Sequence, residues 1–205
     1  MAIHSSDQLL NSVIALGRKF RFEEQHARHV AFLAVQLFDQ LQPLHGLGAP
    51  ERRLLEAAAW LHDIGQYIAY RGHHKHSHYL ITHAELPGCN ERERALIAAV
   101  ARYHRKSAPR LAHAEFARLD KPGRACVRAL AALLRIADAF DRCHAGTVRS
   151  ISADIARSHV CLTLDAAGPL AADASILARK TQLFRDVFNY DIIISGNGRH
   201  LKDVP

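Results

Sequence analysis

The sequence predicts a mainly α-helical protein that ends in a small α/β appendage. Up to about Ala145, apolar residues recur at helical spacing, and breaks containing Gly or Pro separate the segments. Beyond that point, residues 147–155 and 159–164 are rich in β-branched side chains, which is typical of a hairpin. With 205 residues, 49% of them hydrophobic, the chain is long enough to bury one main core. We therefore predict a helical domain over residues 1–145 and an appendage over residues 146–205.

The helical domain is predicted to contain six helices. The first follows an N-cap signal, Ser5-Ser6-Asp7. The others are residues 22–41, a segment through Leu54, Ala58 and Leu61, a short helix that starts near His73, residues 91–106 and residues 125–143. Breaks are expected at residues 42–50, 71–74, 87–90, 107–109 and 120–123.

The appendage is predicted to continue with one helix and one strand. Residues 170–188 form the helix, with an apolar side of Ile176, Leu177, Phe184, Val187 and Phe188. Residues 190–194 form the last strand, and residues 195–205 a tail without regular structure. The appendage would cover the helical core or build a homodimer contact.

The run from Ala58 to Gly65 is the most informative stretch, because it sets His62 and Asp63 at the end of an otherwise apolar helix. A buried carboxylate without a partner costs several kcal/mol. Asp63 therefore needs a cation, a proton or hydrogen-bond donors close to it.

Three other helices repeat this pattern, each with a polar residue four positions from an apolar residue of the buried stripe. The pairs are His26 with Val30, His104 with Val100, and Asp138 with Leu134. Four helices thus direct His, His-Asp, His and Asp towards a shared interior.

These side chains suit a divalent metal ion. Neutral imidazole binds zinc, iron, nickel and manganese, while a carboxylate favours harder ions and can bridge two of them. Adjacent residues stand about 100° apart on a helix, so His62 and Asp63 share one ion only if it lies over the helix edge. The alternative is a set of ordinary hydrogen-bonded core residues.

The chain is basic, with a net charge of +7, and several cations lie within a few residues of the proposed ligands. These candidate substrate-binding residues are Arg71, Lys75, Arg102, Arg105, Lys106 and Arg142. A metal centre rimmed by such groups suits phosphate esters. An ordinary solvated basic face is the alternative. Nucleic-acid binding is disfavoured, because the few aromatic residues are not interleaved with the basic ones.

The remaining composition is that of a cytoplasmic protein. The four cysteines are scattered without paired spacing, as expected in a reducing compartment. Residues 1–20 lack the pattern of a secretory signal, and no apolar run approaches the roughly 20 residues that span a bilayer. We expect no membrane partner.

The pattern of His, His-Asp and Asp on successive helices resembles the HD superfamily of metal-dependent phosphohydrolases. A closer likeness is to the C-terminal HD-like region of the exopolyphosphatase and guanosine pentaphosphate phosphohydrolase family. The motifs that carry it are residues 61–65, 70–77, 101–107 and 133–142, and the likeness extends from about residue 10 to about residue 194. It implies an HD-type helical core.

The resemblance also implies roles for individual residues. By position, His26, His62, Asp63 and Asp138 match the metal ligands of the superfamily, and His73 and His104 match the extra ligands of its two-metal members. His74 and His76 compete with His73 for its role. His62 and Asp63 would be the catalytic pair. Members of the family carry their known activity in two preceding actin-like domains, for which we expect no room in 205 residues.

The predicted function is metal-dependent hydrolysis of a phosphate-rich nucleotide or polyphosphate. One or two ions of manganese, iron, zinc, cobalt, nickel or magnesium would bind water and polarise the phosphoryl group. The alternative is a non-catalytic module that binds such a ligand or regulates another protein.

Overall fold

The structure, a computed structural model, describes residues 5–168, 174–196 and 199–201. This part of the chain is mostly helical and ends in a small sheet, which confirms the predicted fold class. Its helices are α1 (Ser5–Lys19), α2 (Glu24–Gln40), α3 (Gln42–His45), α4 (Ala49–Leu61), α5 (His73–Thr82), α6 (Glu91–Arg102), α7 (Ala114–Ala117), α8 (Lys121–Phe140) and α9 (Ala174–Phe188). The strands are β1 (Val148–Ile155), β2 (His159–Ala166), β3 (Asp191–Gly196) and β4 (Arg199–Leu201).

The helical core is built from α2, α4, α6 and α8. Helix α2 packs on α4 and α8, and α6 packs on the same two helices. The middle of α8 is enclosed on every side. Even the polar residue Arg135 is buried there. Side chains that α8 presents to its neighbours therefore lie in the interior.

The sheet has the order β1-β2-β3-β4. Strands β1 and β2 form the predicted antiparallel hairpin, whereas β2 and β3 are parallel, with α9 as the connection between them. Helix α9 packs on α8, and the buried side chains of core and sheet form one continuous cluster. A boundary near residue 145 stays a prediction, although the chain does change from helix to strand between Phe140 and Val148.

The free edge of β1 is covered by two glutamine side chains of α2. Gln36 accepts the Ile151 N–H (2.8 Å) and Gln40 accepts the Ala153 N–H (2.7 Å). Gln40 also donates to the Ile151 carbonyl (2.6 Å). An exposed edge would invite pairing with another chain, so α2 both docks the sheet and blocks that edge.

Helix boundaries differ from prediction where local capping decides them. Helix α8 begins inside the predicted break at residues 120–123, because the Asp120 carboxylate accepts the Gly123 N–H (2.8 Å) and Pro122 fits the first turn. Helix α3 lies in the predicted break at residues 42–50, again with a proline in its first turn. Helix α7 was not predicted.

At their C-terminal ends, α6 and α8 are shorter than the predicted segments. They stop at Arg102 and Phe140 rather than at residues 106 and 143. Strand β4 lies in the predicted unstructured tail and pairs with β3. Residues 170–173, predicted as the start of the last helix, and residues 197–198 and 202–205 of the tail lie outside the described residues.

In the part of the chain that the structure describes, no helix has the length and apolarity needed to cross a membrane. Cys89, Cys126, Cys143 and Cys161 all carry free thiols.

Candidate metal centre

Four imidazoles and two carboxylates meet where α2, α4, α5, α6 and α8 converge. They form two groups, and in each group the ligand atoms lie within 4.8 Å of one another. Group one contains His26, His62 and Asp138, and group two contains Asp63, His73 and His104. The six predicted metal ligands are therefore close together, divided into two neighbouring sets.

Asp63 belongs to group two but also approaches group one. Its Oδ1 is 3.0 Å from His73 Nε2 and 3.4 Å from His104 Nε2. Its Oδ2 is 3.8 Å from His62 Nε2, in the other group. Asp138 completes group one, with Oδ1 3.7 Å from His62 Nε2 and 3.9 Å from His26 Nε2. This is an arrangement in which one carboxylate can bridge two cations.

Each of the four imidazoles is held from behind through Nδ1. His62, His73 and His104 face backbone carbonyls three residues earlier in the chain, at 2.6, 3.0 and 2.7 Å. His26 Nδ1 lies 2.8 Å from Asp141 Oδ2. Because carbonyl and carboxylate oxygens accept hydrogen bonds, Nδ1 carries the proton, and the Nε2 lone pairs point into the centre. Metal-binding histidines in proteins are oriented in this way.

The residues fit a divalent metal, because ligand atoms that are buried here lack hydrogen bonds. Among the described residues, His26 Nε2, His62 Nε2 and Asp63 Oδ1 are buried without a hydrogen-bond partner. Buried polar atoms normally have partners, and an unpaired one costs about 1–3 kcal/mol. One cation beside His26 and His62 and a second beside Asp63 Oδ1 would satisfy all three.

Electrostatics keep the carboxylates charged. Burial would raise the pKa of Asp63, but the neighbouring imidazoles outweigh it and hold the pKa well below its ordinary value. Burial acts in the same way on Asp138, where Lys180 and His104 prevail and lower its pKa. Burial lowers the pKa of His62, and that of His104 by more, which favours the neutral imidazole that a metal ion requires.

The turn after α4 depends on a close backbone approach at Gly65. A Cβ at Gly65 would lie 2.2 Å from the His73 carbonyl oxygen and 2.4 Å from the Ser77 nitrogen. Ser77 Oγ accepts the Gly65 N–H (2.9 Å) and donates to the His62 carbonyl (2.7 Å). The absent side chain thus lets α5 bring His73 next to Asp63.

His104 reaches the centre from a turn rather than from a helix. The buried Arg135 of α8 donates to the carbonyls of Tyr103 (2.7 Å), Lys106 (2.9 Å) and Ser107 (2.9 Å). Lys106 has a φ of 60°, an unusual value for a residue with a side chain. Arg135 therefore holds the turn that carries His104 and Arg105.

A cationic cavity of about 570 Å³ opens onto the centre. Asp63, His73, His104 and Asp138 form one wall. The cations that line it are Arg105, Lys106, Arg135, Arg142, Arg179 and Lys180. This excess of positive charge suits a ligand with several phosphate groups.

The six predicted substrate-binding cations divide into two sets. Arg105, Lys106 and Arg142 line the cavity. Arg71 and Lys75 are exposed and do not line it, and Arg102 turns away to form an ion pair with Glu115. Of the three candidates in the histidine-rich run, His73 is buried beside Asp63, and His74 and His76 are outside both groups.

Two residues that contact the candidate ligands were not predicted from the sequence. Lys180 of α9 forms an ion pair with Asp138 and donates to the His104 carbonyl (3.2 Å). Asp141, which supports His26, also accepts the Gly146 N–H (2.8 Å) and lies 3.1 Å from His29 Nδ1. Asp141 follows Asp138 by three positions, a spacing that places both on one helix side, but nothing marks Lys180.

The family model described as "Ppx/GppA phosphatase, domain III" matches residues 10–180 of the chain. This range contains all six candidate ligands and ends at Lys180.

Curated relatives match over part of their length. One, named guanosine-5'-triphosphate,3'-diphosphate pyrophosphatase, from Pseudoalteromonas translucida, is 35% identical over 107 residues, 50% of this chain and 21% of its own. Proteins of the same name from Aeromonas hydrophila and Pseudoalteromonas atlantica are 32% identical over 98 residues and 27% identical over 136 residues. These matches cover 47% and 66% of this chain. The matched regions are 20% and 26% of those relatives' lengths, so the similarity concerns about a fifth to a quarter of each relative.

Proposed function

Since the chain belongs to the Ppx/GppA phosphatase family, to the part described as domain III, we propose that it is a metal-dependent phosphohydrolase of the HD type. Its substrate would be a phosphate-rich nucleotide or an inorganic polyphosphate. The names of its relatives, pyrophosphatases of a guanosine carrying five phosphates, support a substrate of this kind.

One observation carries the proposal: six ligand atoms of the right chemistry converge, and four of them are imidazole nitrogens fixed from behind. Ordinary core histidines would use both ring nitrogens in hydrogen bonds. Here the inner nitrogens of His26 and His62 have no such partner. The arrangement is explained if a cation lies within each group.

The six residues would hold two ions. His26, His62 and Asp138 would bind one, and Asp63, His73 and His104 the other, with Asp63 reaching both. A divalent ion held there would supply an acidified water and would polarise a phosphoryl oxygen.

The cations of the cavity would bind the phosphate groups. Arg105 and Arg142 offer paired N–H donors to phosphate oxygens, and Lys106 offers a point charge. Together these residues would stabilise the negative charge that develops as a phosphate leaves. His62 and Asp63 are the pair on which the chemistry depends most.

The test combines metal analysis with substrate cleavage. Protein purified without an affinity tag is incubated with manganese, iron, cobalt or zinc, and bound metal is measured. Phosphate release is then followed with guanosine 5'-triphosphate 3'-diphosphate, GTP and inorganic tripolyphosphate. We expect bound metal and metal-dependent release, both lost in Asp63→Asn, and release strongly reduced in Arg105→Ala. Arg157→Ala, an exposed arginine in the turn between β1 and β2, is the matched control.

A second candidate function is metal-free binding of a polyanion. Two cations already contact the ligand residues: Lys180 pairs with Asp138, and Arg105 Nη1 lies 3.1 Å from His73 Nε2. A sensor or regulatory module would use the same cavity without cleaving its ligand. Tight binding of GTP or tripolyphosphate, without bound metal and without phosphate release, would favour this function over hydrolysis.

A further inference from the structure

A second pocket, of about 130 Å³, reaches the metal centre beside the turn between α1 and α2. Its walls are aromatic, and its floor touches ligands of the centre. The rings are those of Phe20, Phe22, Trp60 and Tyr67, and the ligands are His26 and Asp63. We refer to this site as the aromatic pocket.

The aromatic pocket is fixed by local structure. A Cβ at Gly17 would lie 2.6 Å from the Phe22 ring, so the glycine allows that ring to lie against α1. Arg18 and Glu24 form a two-fold ion pair (2.7 and 2.8 Å) across the turn. Trp60 precedes the His62-Asp63 pair, and Tyr67 ends the 3-10 helix Ile64–Tyr67 that follows it. The walls therefore keep their position relative to Asp63.

The aromatic pocket and the cationic cavity meet at Asp63 and Gln66, which line both. Gln66 donates to Asp63 Oδ2 at this junction. On the side of the cationic cavity the walls carry positive charge, and on the side of the aromatic pocket they consist of aromatic rings. A ligand that spans the junction must itself have a polyanionic end and a flat, weakly polar end.

We infer that the aromatic pocket binds the base of a nucleotide whose phosphate groups lie in the cationic cavity. This inference rests on the proposed function and selects the nucleotide from the two substrate classes left open above. An inorganic polyphosphate has no group that benefits from aromatic walls, whereas every base has a face that stacks on them.

Size and polarity agree with a base. A cavity of about 150 Å³ binds benzene. The aromatic pocket, at about 130 Å³, is slightly smaller, so one ring of a base enters it and the rest of the base lies at its open side. Ligand pockets combine apolar walls with a few polar groups that set orientation. Here Arg21, Glu23 and Gln66 provide them at the rim. One oxygen of the Glu23 carboxylate pairs with His144, and the other can accept an N–H group of a base.

Trp60 makes the inference directly measurable. It is the single tryptophan of the chain, it is only 7% exposed, and it lines the aromatic pocket. A base that enters the pocket should change its fluorescence. The full chain is titrated with GTP and with inorganic tripolyphosphate in the presence of Mg²⁺. Emission is corrected for absorbance, and both affinities are also measured by calorimetry.

Tyr67→Ala is the test variant, because Tyr67 is 57% exposed and its removal leaves the core intact. We expect GTP but not tripolyphosphate to quench Trp60. We also expect Tyr67→Ala to weaken GTP binding about 5- to 150-fold, the range for loss of one stacked ring, and to leave tripolyphosphate binding unchanged. Tyr67→Phe keeps the ring and should bind GTP like the wild type. Tyr79→Ala, equally exposed at 57% on α5, is the matched control.

The outcomes separate this inference from the proposed activity, since binding is measured without turnover. Selective quenching by GTP without phosphate release would uphold the base site and refute the hydrolase. The inference is overturned if GTP leaves Trp60 unchanged, if neither compound binds, or if Tyr67→Ala weakens the binding of both compounds equally. Phosphate release together with any of these results would leave the hydrolase standing.

Discussion

Single residues in the centre differ in what supports them. The Nδ1 atoms of His62, His73 and His104 donate to backbone carbonyls, which no substitution removes. Of the four imidazoles, only that of His26 has a side chain, Asp141, as the partner of Nδ1. Burial would raise the pKa of Asp141, but its hydrogen bonds with His26 and His29 hold the pKa well below the ordinary value. Asp141 is therefore the side chain through which mutation can test the orientation of one of these four imidazoles.

Asp141→Asn should weaken metal binding about 10- to 100-fold, the usual effect of losing a carboxylate behind a metal-binding histidine. The amide is neutral, and its NH₂ group would face either a histidine N–H or the Gly146 N–H, which Asp141 accepts at present. Metal affinity is measured by competition with a chelating dye. Asp165→Asn, at an exposed carboxylate paired with Arg149, is the control. Equal affinities in the two variants would contradict the role of Asp141.

The cysteines allow a test of burial that does not depend on metal. Burial raises the pKa of Cys126 to about 12, so its thiol stays protonated, and hence unreactive, well above neutral pH. Cys143 is exposed. At about pH 8, iodoacetamide should label Cys143 rapidly and Cys126 only after denaturation. Peptide mass spectrometry reads both sites, and fast labelling of Cys126 in the folded protein would show that α8 is packed less tightly than described.

Elements rather than single side chains decide how far the sequence could predict this centre. Helical spacing was enough for His26, His62 and Asp138, because α2, α4 and α8 are regular up to those positions. His104 was placed in a helix, whereas it lies in a turn held by Arg135. Arg102 was predicted to bind substrate because it is close to His104 in the sequence. The end of α6 instead directs its side chain to Glu115. Lys180 could not be predicted, since its approach depends on how α9 docks on α8.

Helices α4 and α5 meet at Gly65 with no room for a side chain. In Gly65→Ala, the new methyl group would collide with backbone atoms of α5, which cannot rotate away. We expect a loss of about 1–3 kcal/mol in the free energy of unfolding, together with weaker metal binding, because His73 moves away from Asp63. Chemical denaturation and metal titration measure the two effects. Gly168→Ala, where no atom lies within 4 Å of the added Cβ, should change neither.

At the scale of the molecule, the appendage is part of the centre. Helix α9 packs on α8 and brings Arg179 and Lys180 to the cavity, while α2 secures the other end of the sheet through Gln36 and Gln40. The predicted role of the appendage, to cover the helical core, therefore omits the two cations that it adds to the cavity. A homodimer stays a prediction, and the edge of β1 is not free to form one.

Lys180→Met should reveal this connection. Without the ammonium group, the half-buried Asp138 carboxylate loses its cationic partner, and the metal-free protein should lose about 1–3 kcal/mol of stability. Added Mn²⁺ should then raise the melting temperature more in the variant than in the wild type, because a cation replaces the missing charge. Thermal unfolding with and without Mn²⁺ gives the answer. An equal response in both proteins would mean that Lys180 and the metal act on separate groups.

The parallel pairing of β2 with β3 has a consequence for the order in which the protein is made. Strand β3 can join β2 only after α9 has been synthesised, and the pairing extends to Gly196. Domains generally begin to fold from the N-terminal side during synthesis. The ligands from His26 to Asp138 therefore leave the ribosome well before Lys180, the cation that balances Asp138. On the nascent chain the Asp138 carboxylate is exposed before Lys180 has been made. A free divalent ion in the cell can therefore bind this carboxylate before Lys180 pairs with it.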